Sequence, residues 1–527
     1  MSALSARAWS PAWTAVCSLE DVLPDSGVAA LVAGHEVAVF RVADAVYAVG
    51  NHDPASGVNV LGRGIVGDIG GEVVVASPIY KQHYSLLTGR CVEDANLSVP
   101  AYLTRVIDGM IWVRNAPLSA RGTGCRRRLV VVGNGMAAVR AIEELLELDP
   151  QAYHIEVFGA EPHGGYNRVL LSPLLAGDKR LQDILTHTPD WYSERGIVMH
   201  CADPIVHIDR RQRRVRSQKG IEAAYDRLLI ATGSRPVLLS VPGRELPGVI
   251  AFRDLNDVEI MLKASQEHRR AVVIGGGLLG LEAANGLCAR GMDVTVIHLC
   301  AHLMERQLDV HAAQLLREEL ERRGIEFKLG ISTAQFLGTT ELTGIRLSDG
   351  SELGADLAVV TVGIKPNIDL ALAAGLPCDR GILVDDTLQT NDPAIYAVGE
   401  CVQHRGKTFG LVAPLFEQAR ICATFLAQRS VRGYRDRTCS TRLKVAGIDV
   451  FSAGDFASRP GAESLVLRDA QSGVYKRLVI QHDRIRGAIL YGDVRDAQWY
   501  LDLMEENRDI RALREDLLFG APPAVAV

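Results

Sequence analysis

The chain has 527 residues, 63 acidic against 57 basic side chains and a formal net charge of −6. At roughly 150 residues per domain that length predicts three to four domains with cores of their own, and so even a charge balance excludes the basic footprint of a nucleic-acid binder. Hydrophobic residues at 48% and charged residues at 23% exclude disorder. Ten cysteines are scattered from Cys17 to Cys439 with no Cys-x-x-Cys pair, which excludes a zinc ribbon or a CxxC redox motif and fits reduced thiols in a cytoplasmic protein. Met1–Leu19 lacks an apolar h-region and no run of 18 apolar residues occurs, so neither a signal peptide nor a membrane span is expected.

The first 118 residues read as all-β. Short β-branched runs at Val37–Val42, Ala45–Val49 and Val73–Ala76 are separated by Gly, Asp and Asn. A polar, basic linker, Pro117–Arg128, closes this domain. Its Arg126-Arg127-Arg128 cluster is read as solvated linker rather than a partner patch.

The pattern then changes to strands alternating with amphipathic helices, which predicts parallel α/β domains. Leu129–Val132 is an apolar strand running into Gly133-Asn134-Gly135-Met136-Ala137-Ala138, followed by a helix over Val139–Leu148. This Gly-x-Gly-x-x-Ala has the strand–turn–helix setting of a dinucleotide loop. Gly133 permits the tight turn, Gly135 lets amides approach a pyrophosphate, and Ala138 allows close packing. After a second strand, His154–Phe158, Glu161 is placed to hold a ribose hydroxyl pair. A second loop repeats the pattern. Ala271–Ile274 leads into Gly275-Gly276-Gly277-Leu278-Leu279-Gly280 and a helix over Leu281–Arg290. The next strand, Asp293–Ile297, ends at His298, where a ribose-binding acid is expected, so the choice between NADH and NADPH stays open. Two loops in one chain predict two dinucleotides, FAD on the first and NAD(P)H on the second.

A second boundary falls at Ala427–Arg442, rich in Arg, Ser and Thr. Beyond it, Leu443–Val445, Ser464–Leu467 and Tyr475–Ile480 read as a small sheet. Helix-like stretches at Asp493–Glu506 and Asp509–Leu517 follow, and the tail Gly520–Val527 reads as frayed. The expected fold is multidomain. It has an all-β domain over 1–118, an FAD-binding domain in two parts over 127–248 and 366–428, an NAD(P)H-binding domain over 249–365, and a small α+β domain over 440–519.

Several motifs then carry a resemblance. The middle of the chain resembles the two-dinucleotide pyridine nucleotide–disulfide-type flavoprotein reductases. Ala231-Thr232-Gly233-Ser234-Arg235-Pro236 is similar to their crossing segment between FAD and NAD domains, and Thr390–Glu400 to the segment whose last two residues, here Gly399 and Glu400, meet the ribityl chain. The family usually has Asp at the last place. Tyr166–Ser172, Leu303–Asp309, Gly410–Leu415 and Gly447–Gly454 resemble, more narrowly, the large subunit of assimilatory NADH-dependent nitrite reductase. That resemblance, over roughly Leu129–Phe519, implies that Asn167 and Arg168 lie along FAD and that Val412, Ala413 and Pro414 lie by the flavin ring. Ser172, Glu282 and Gly363 complete the expected cofactor-binding set. The chain lacks the cysteine-ligated and sirohaem part of that family, with no Cys after Cys439, so it is not expected to reduce nitrite alone.

The N-terminal domain resembles the Rieske-like small subunit of the same enzymes. Asn51–Gly57 and Ser77–Tyr84 sit where a Rieske protein has its ligand loops. A Rieske centre needs two thiolates and two imidazoles. The landmarks put Asp53 and Ala55 at the first Cys and His and Ser77 and Tyr80 at the second pair, with His52 and His83 off register. No iron–sulfur cluster and no metal is expected.

Hydride transfer from NAD(P)H to a flavin needs no protein acid or base, so no catalytic residue is assigned. His163–Ser172 holds no Cys, which argues against a thiol relay, and Cys401 is read as a packing residue. The favoured function is an NAD(P)H-dependent FAD reductase passing electrons to a separate nitrite or nitrate reductase component. The alternatives are a ferredoxin or rubredoxin reductase and a redox-sensing or assembly protein with little turnover. A homodimer is possible.

Overall fold

The computed structural model describes residues 12–43, 45–118, 126–429, 433–435, 440–445, 447–457 and 460–521. Parts of the two linkers, with Cys125 and Cys439, and the tail beyond residue 521 lie outside the described residues. The chain forms two compact units. One comprises Met1–Tyr166, Thr186–Ser234 and Pro366–Arg435, the other Asn167–Leu185, Arg235–Lys365 and Asp436–Val527.

The first unit begins with the all-β domain. Its central strand, His35–Val42, pairs antiparallel with Ser26–Val32 on one side and Ala45–Gly50 on the other. Val37 and Val39 enter one core with Ile111 and Val113, whereas Ala38 and Phe40 enter another with Val75 and Tyr84. Successive side chains of a strand point to opposite faces, so an unbroken apolar run marks a strand covered on both.

This domain is fused to its neighbour through a shared core. Leu103 is buried with Leu129–Val132 and Leu228–Ile230, Trp13 packs against the same cluster, and its ring stacks on Phe425. Arg105 Nη1 donates to Asp385 Oδ2 at 2.7 Å with both side chains buried, and Arg405 bridges Asp386 and Asp108. Burial lowers the Arg105 pKa and raises that of Asp385, against the pull of each on the other. The cost of burying both charges offsets much of their attraction, so such a pair adds little net stability.

The α/β part of the first unit is a five-stranded parallel sheet. Its order is Val198–His200, Tyr153–Phe158, Arg127–Val132, Arg227–Ile230, Ile395–Ala397. The helices Met136–Leu148 and Val412–Leu426 place their apolar faces in its core.

The second unit holds the matching sheet, in the order Val249–Ala251, Leu357–Val360, Arg270–Ile274, Asp293–His298, Ile325–Leu329. The stretch Asn167–Leu185, which the sequence assigns to 127–248, packs in this unit. The C-terminal domain is a five-stranded antiparallel sheet covered by helix Ala497–Glu505 around Phe451, Leu478, Leu490 and Tyr500. Two helix expectations need correction there. The helix starts at Ala497 rather than Asp493, because Asp493 and Asp496 turn to the buried ammonium of Lys476. Asp509–Leu517 is not a helix: only the single turns Arg511–Leu513 and Leu517–Phe519 form. Tertiary bonds, Ile510 N to Asp483 O and Tyr500 Oη to Leu517 O, hold that segment in place.

Candidate functional site: two dinucleotide loops

In the first unit, strand Arg127–Val132 ends at Gly133, whose φ of +104° only glycine adopts without strain. A Cβ there would lie 2.3 Å from the Ala231 carbonyl oxygen. Gly135 stands immediately before helix Met136–Leu148, and a Cβ on it would meet open space. Ala137 and Ala138 occupy the first turn, Ala138 fully buried beneath it. This leaves free amides and the positive end of a 13-residue helix beside an open cradle, the arrangement a pyrophosphate requires.

Three other segments converge in this unit. Ala231 N donates to Val132 O, Thr232 Oγ1 donates to Asn367 O, and Asn367 N donates to Gly233 O. Gly399, at φ +93°, has its Cβ position 3.2 Å from the Ala137 methyl. Ser234 Oγ donates to Glu400 Oε2 at 2.8 Å, which holds that carboxylate in one orientation. Glu161 accepts from the Tyr166 hydroxyl at 2.6 Å. Val412, Ala413 and Pro414 form the first turn of helix Val412–Leu426.

Gln418 was not foreseen. It is fully buried on that helix, its Oε1 accepts from Gly399 N at 2.9 Å, and its Nε2 has no partner among the described residues. The available signal was a lone amide among Leu415, Ala419, Ile421 and Cys422 on an otherwise apolar face. Cys401 is fully buried, its thiol donates to Val398 O, and burial pushes its pKa up to about 11. A thiol so placed packs and does not react.

The second loop is built alike. Gly275 has φ +125°, a Cβ on Gly280 would sit 1.9 Å from Gly275 O, and Gly277 faces open space. Helix Leu278–Ala289 begins here, with Leu278 and Leu279 in its first turn. Gly363, at φ +124°, also borders open space. Glu282 accepts from Ser172 Oγ at 2.7 Å, and burial, partly offset by that bond, raises its carboxyl pKa to about 7. His298 Nδ1 accepts from Gly276 N at 3.0 Å, while its Nε2 lies 3.1 Å from Glu305 Oε2. Asn167 and Arg168 are in this unit: Asn167 Oδ1 accepts from Val169 N, and Arg168 Nη1 donates to Arg253 O. Arg235 is also here, and is exposed.

At the Rieske-type loops, Asp53 is fully buried and accepts four hydrogen bonds. They come from Ser77 Oγ and Ser56 Oγ at 2.7 Å, Tyr84 Oη at 2.8 Å and Ala55 N at 3.0 Å. Asp53 and Ser77, the two thiolate positions, are thus bonded directly to one another. Tyr80 is 63% exposed, His52 bonds to Asn59, and His83 to Glu93.

Comparison with known proteins places these loops. Residues 127–419 match the pyridine nucleotide-disulphide oxidoreductase family, 12–114 the Rieske-like [2Fe-2S] domain, and 440–508 the rubredoxin NAD+ reductase C-terminal domain. The last match adds a relative for the C-terminal domain that its sequence alone had not disclosed. Among similar proteins, the NAD(P)H nitrite reductase of Bacillus subtilis (strain 168) is 46% identical over 385 residues, covering 73% of this chain and 48% of its own length. The assimilatory nitrate reductase electron transfer subunit of the same organism is 44% identical over 393 residues, covering 75% and 51%. The chain therefore spans about half the length of these relatives. Rubredoxin-NAD(+) reductase of Ectopseudomonas oleovorans is 34% identical over 289 residues, covering 54% of this chain and 75% of its own. A ferredoxin reductase from Rhodopseudomonas palustris superposes with a TM-score of 0.64 at 26% identity, covering 71% and 93%. Putidaredoxin reductase in its covalent complex with putidaredoxin gives 0.66 at 26%, covering 73% and 94%.

Proposed function

The chain belongs to the pyridine nucleotide–disulphide oxidoreductase family and is an FAD-dependent NAD(P)H oxidoreductase; from that premise we propose that it is an electron-entry reductase, passing electrons to a separate redox component of nitrate or nitrite assimilation. The observation that carries this reading is the 44% identity to an assimilatory nitrate reductase electron transfer subunit along 75% of the chain. FAD, when bound, supplies the chemistry, accepting a hydride and releasing electrons onward. The chain's residues bind and orient. The amides after Gly133 and the end of helix Met136–Leu148 receive the pyrophosphate. Glu400, held by Ser234, offers a carboxylate oxygen to a ribityl hydroxyl. Glycines 275, 277 and 280 leave room for the nicotinamide dinucleotide, and Glu282 with Ser172 forms a polar pair in the same unit. Among the described residues no thiol pair offers a relay: His163–Ser172 has no Cys, and Cys401 is buried with a raised pKa. That favours an electron-carrying protein as the outlet over a disulfide substrate.

We also infer that the Rieske-like domain carries no cluster. The positions that should supply thiolates and imidazoles hold Asp53, Ala55, Ser77 and Tyr80, and the Asp53–Ser77 hydrogen bond occupies the space between the two loops. Iron analysis of the protein from iron-replete cells is expected to give no stoichiometric iron, and two irons per chain would overturn this.

An anaerobic NADH titration tests the reductase reading. The flavin band should bleach, and the reduced protein should then reoxidise on mixing with a nitrate or nitrite reductase component. A second outlet, to a rubredoxin or ferredoxin, is favoured by the match of residues 440–508. Reoxidation by those carriers alone would select it.

A further inference from the structure

We propose that Glu305 is the carboxylate that selects the unphosphorylated adenosine ribose, so that the second loop takes NADH in preference to NADPH; this rests on reading that loop as the NAD(P)H site. In such folds an acid at the end of the second strand accepts hydrogen bonds from ribose hydroxyls and repels a 2′-phosphate. Here strand Asp293–His298 ends in an imidazole instead.

The hydrogen bonds of that imidazole select its neutral tautomer. His298 Nδ1 accepts from Gly276 N at 3.0 Å, and a ring nitrogen that accepts carries no proton, so in the neutral ring the proton sits on Nε2. Nε2 lies 3.1 Å from Glu305 Oε2 and donates to it. The ring is wedged against the loop because residue 276 is glycine, where a Cβ would stand 2.7 Å from His298 Cγ. His298 is thus a spacer between the glycine loop and a carboxylate.

The chain brings that carboxylate back by construction. After His298 it leaves the sheet, then returns so that Met304 N donates to Gly276 O at 3.0 Å. Met304 takes φ +50°, and Leu303 and Met304 are each 1% exposed, so the turn is anchored by buried side chains. Gly276 therefore holds both ends of the excursion, His298 by its N–H and Met304 by its C=O. Glu305 is the next residue, exposed and beside the loop. A carboxylate has acceptor capacity beyond one imidazole, and a ribose with two hydroxyls can use it. A 2′-phosphate in the same place would set two anions together. The opposing charge nearby in sequence is Arg306, also exposed.

The test uses the full flavin-loaded chain, with affinities for NAD+ and NADP+ measured by calorimetry and flavin reduction by NADH and NADPH followed anaerobically. The unaltered protein should favour NAD+. Glu305→Gln should narrow the NAD+/NADP+ preference by about 10- to 100-fold, the range expected for a hydrogen bond to a charged group. Adding His298→Glu to Glu305→Gln, which returns an acid to the strand end, should restore the preference and shows that the first variant is folded. Arg306→Ala should leave the preference in place. A preference for NADP+ in the unaltered protein, or an unchanged ratio in Glu305→Gln, would overturn the proposal. A flavin that neither coenzyme reduces, with a binding preference that still follows Glu305, would sink the reductase reading and leave this inference standing. Failure of both coenzymes to bind would remove both.

Discussion

Around Gly133 the chain fixes its glycine loop with a fully buried glutamine, a buried thiol and a hydroxyl bonded to a carboxylate. Around Gly275 the same loop geometry is bordered by a carboxyl raised to about 7 and by an imidazole–carboxylate pair. The backbone requirements of the two are nearly identical, with positive φ and a carbonyl within 3 Å of the absent Cβ at each first glycine. The contrast lies in what the neighbours can do. A loop held by fixed groups suits a cofactor that stays, and one beside a carboxyl raised to about 7 suits a coenzyme that comes and goes.

The largest effects should come from breaking each loop separately. In Gly133→Ala the new Cβ would meet Ala231 O at 2.3 Å, and in Gly275→Ala it would meet Thr361 O at 2.6 Å, both at strongly positive φ. Each is expected to cost about 3 kcal/mol locally. Gly133→Ala should purify depleted of flavin. Gly275→Ala should retain flavin but need at least about tenfold more NADH to reduce it. Flavin absorbance per chain and an anaerobic titration of each variant separate the two, and flavin loss from both would erase the contrast.

Asp53→Ala comes next. It removes a buried acceptor and strands the donors of Ser56, Ser77 and Tyr84, at an expected cost of about 3 kcal/mol by thermal or denaturant unfolding. Because Leu103 and Trp13 share the core of the flavin-side sheet, the loss should appear in the unfolding of the first unit and not as an independent transition. NADH affinity at the second loop should not change.

What the sequence disclosed follows from the reach of each signal. Both loops, the all-β start and the small C-terminal sheet were legible, because glycine punctuation and the period of apolar residues are local. Gln418 and Glu305 were not. The first acts on Gly399 across 19 residues, and the second reaches His298 only because a turn at Met304 folds back onto Gly276. Asp509–Leu517 carried helical composition, yet bonds to Asp483 and Tyr500 hold it in single turns. The Rieske-type loops were found by their Pro and Gly landmarks, while the four-bond hub on Asp53 needed three dimensions to be seen.

Glu282→Gln tests the titratable side of the contrast. Burial raises the Glu282 pKa to about 7 from an ordinary carboxylate value, so the folded protein prefers the neutral acid. Stability from this group is therefore complete below the unfolded pKa and is lost as pH rises through about 7. The variant stays neutral throughout. Its unfolding free energy should exceed that of the unaltered protein above pH 7, by about 2 kcal/mol at most given partial water access, and the two should converge near pH 4. The NADH-reduction rate of the unaltered protein should bend near the same pH, and the bend should vanish in Glu282→Gln. A bend that survives the substitution would assign it to a group other than Glu282.

The smallest effect is expected at Gln418, because two terms oppose. Gln418→Leu deprives Gly399 N of its acceptor, a cost of about 1–3 kcal/mol, and at the same time removes an amide Nε2 that has no partner among the described residues, which returns part of it. A net loss of about 1 kcal/mol in stability is expected. The flavin should respond more than the fold, since Gly399 immediately precedes Glu400 and its φ of +93° is held by that single side-chain bond. Gln418→Glu keeps an acceptor for Gly399 and should retain flavin better than Gln418→Leu, although its charge is buried. If flavin dissociates at the same rate from the two variants, the amide is filling space and not holding the loop, and the fixed character assigned to the first site would rest on Ser234 and Glu400 alone.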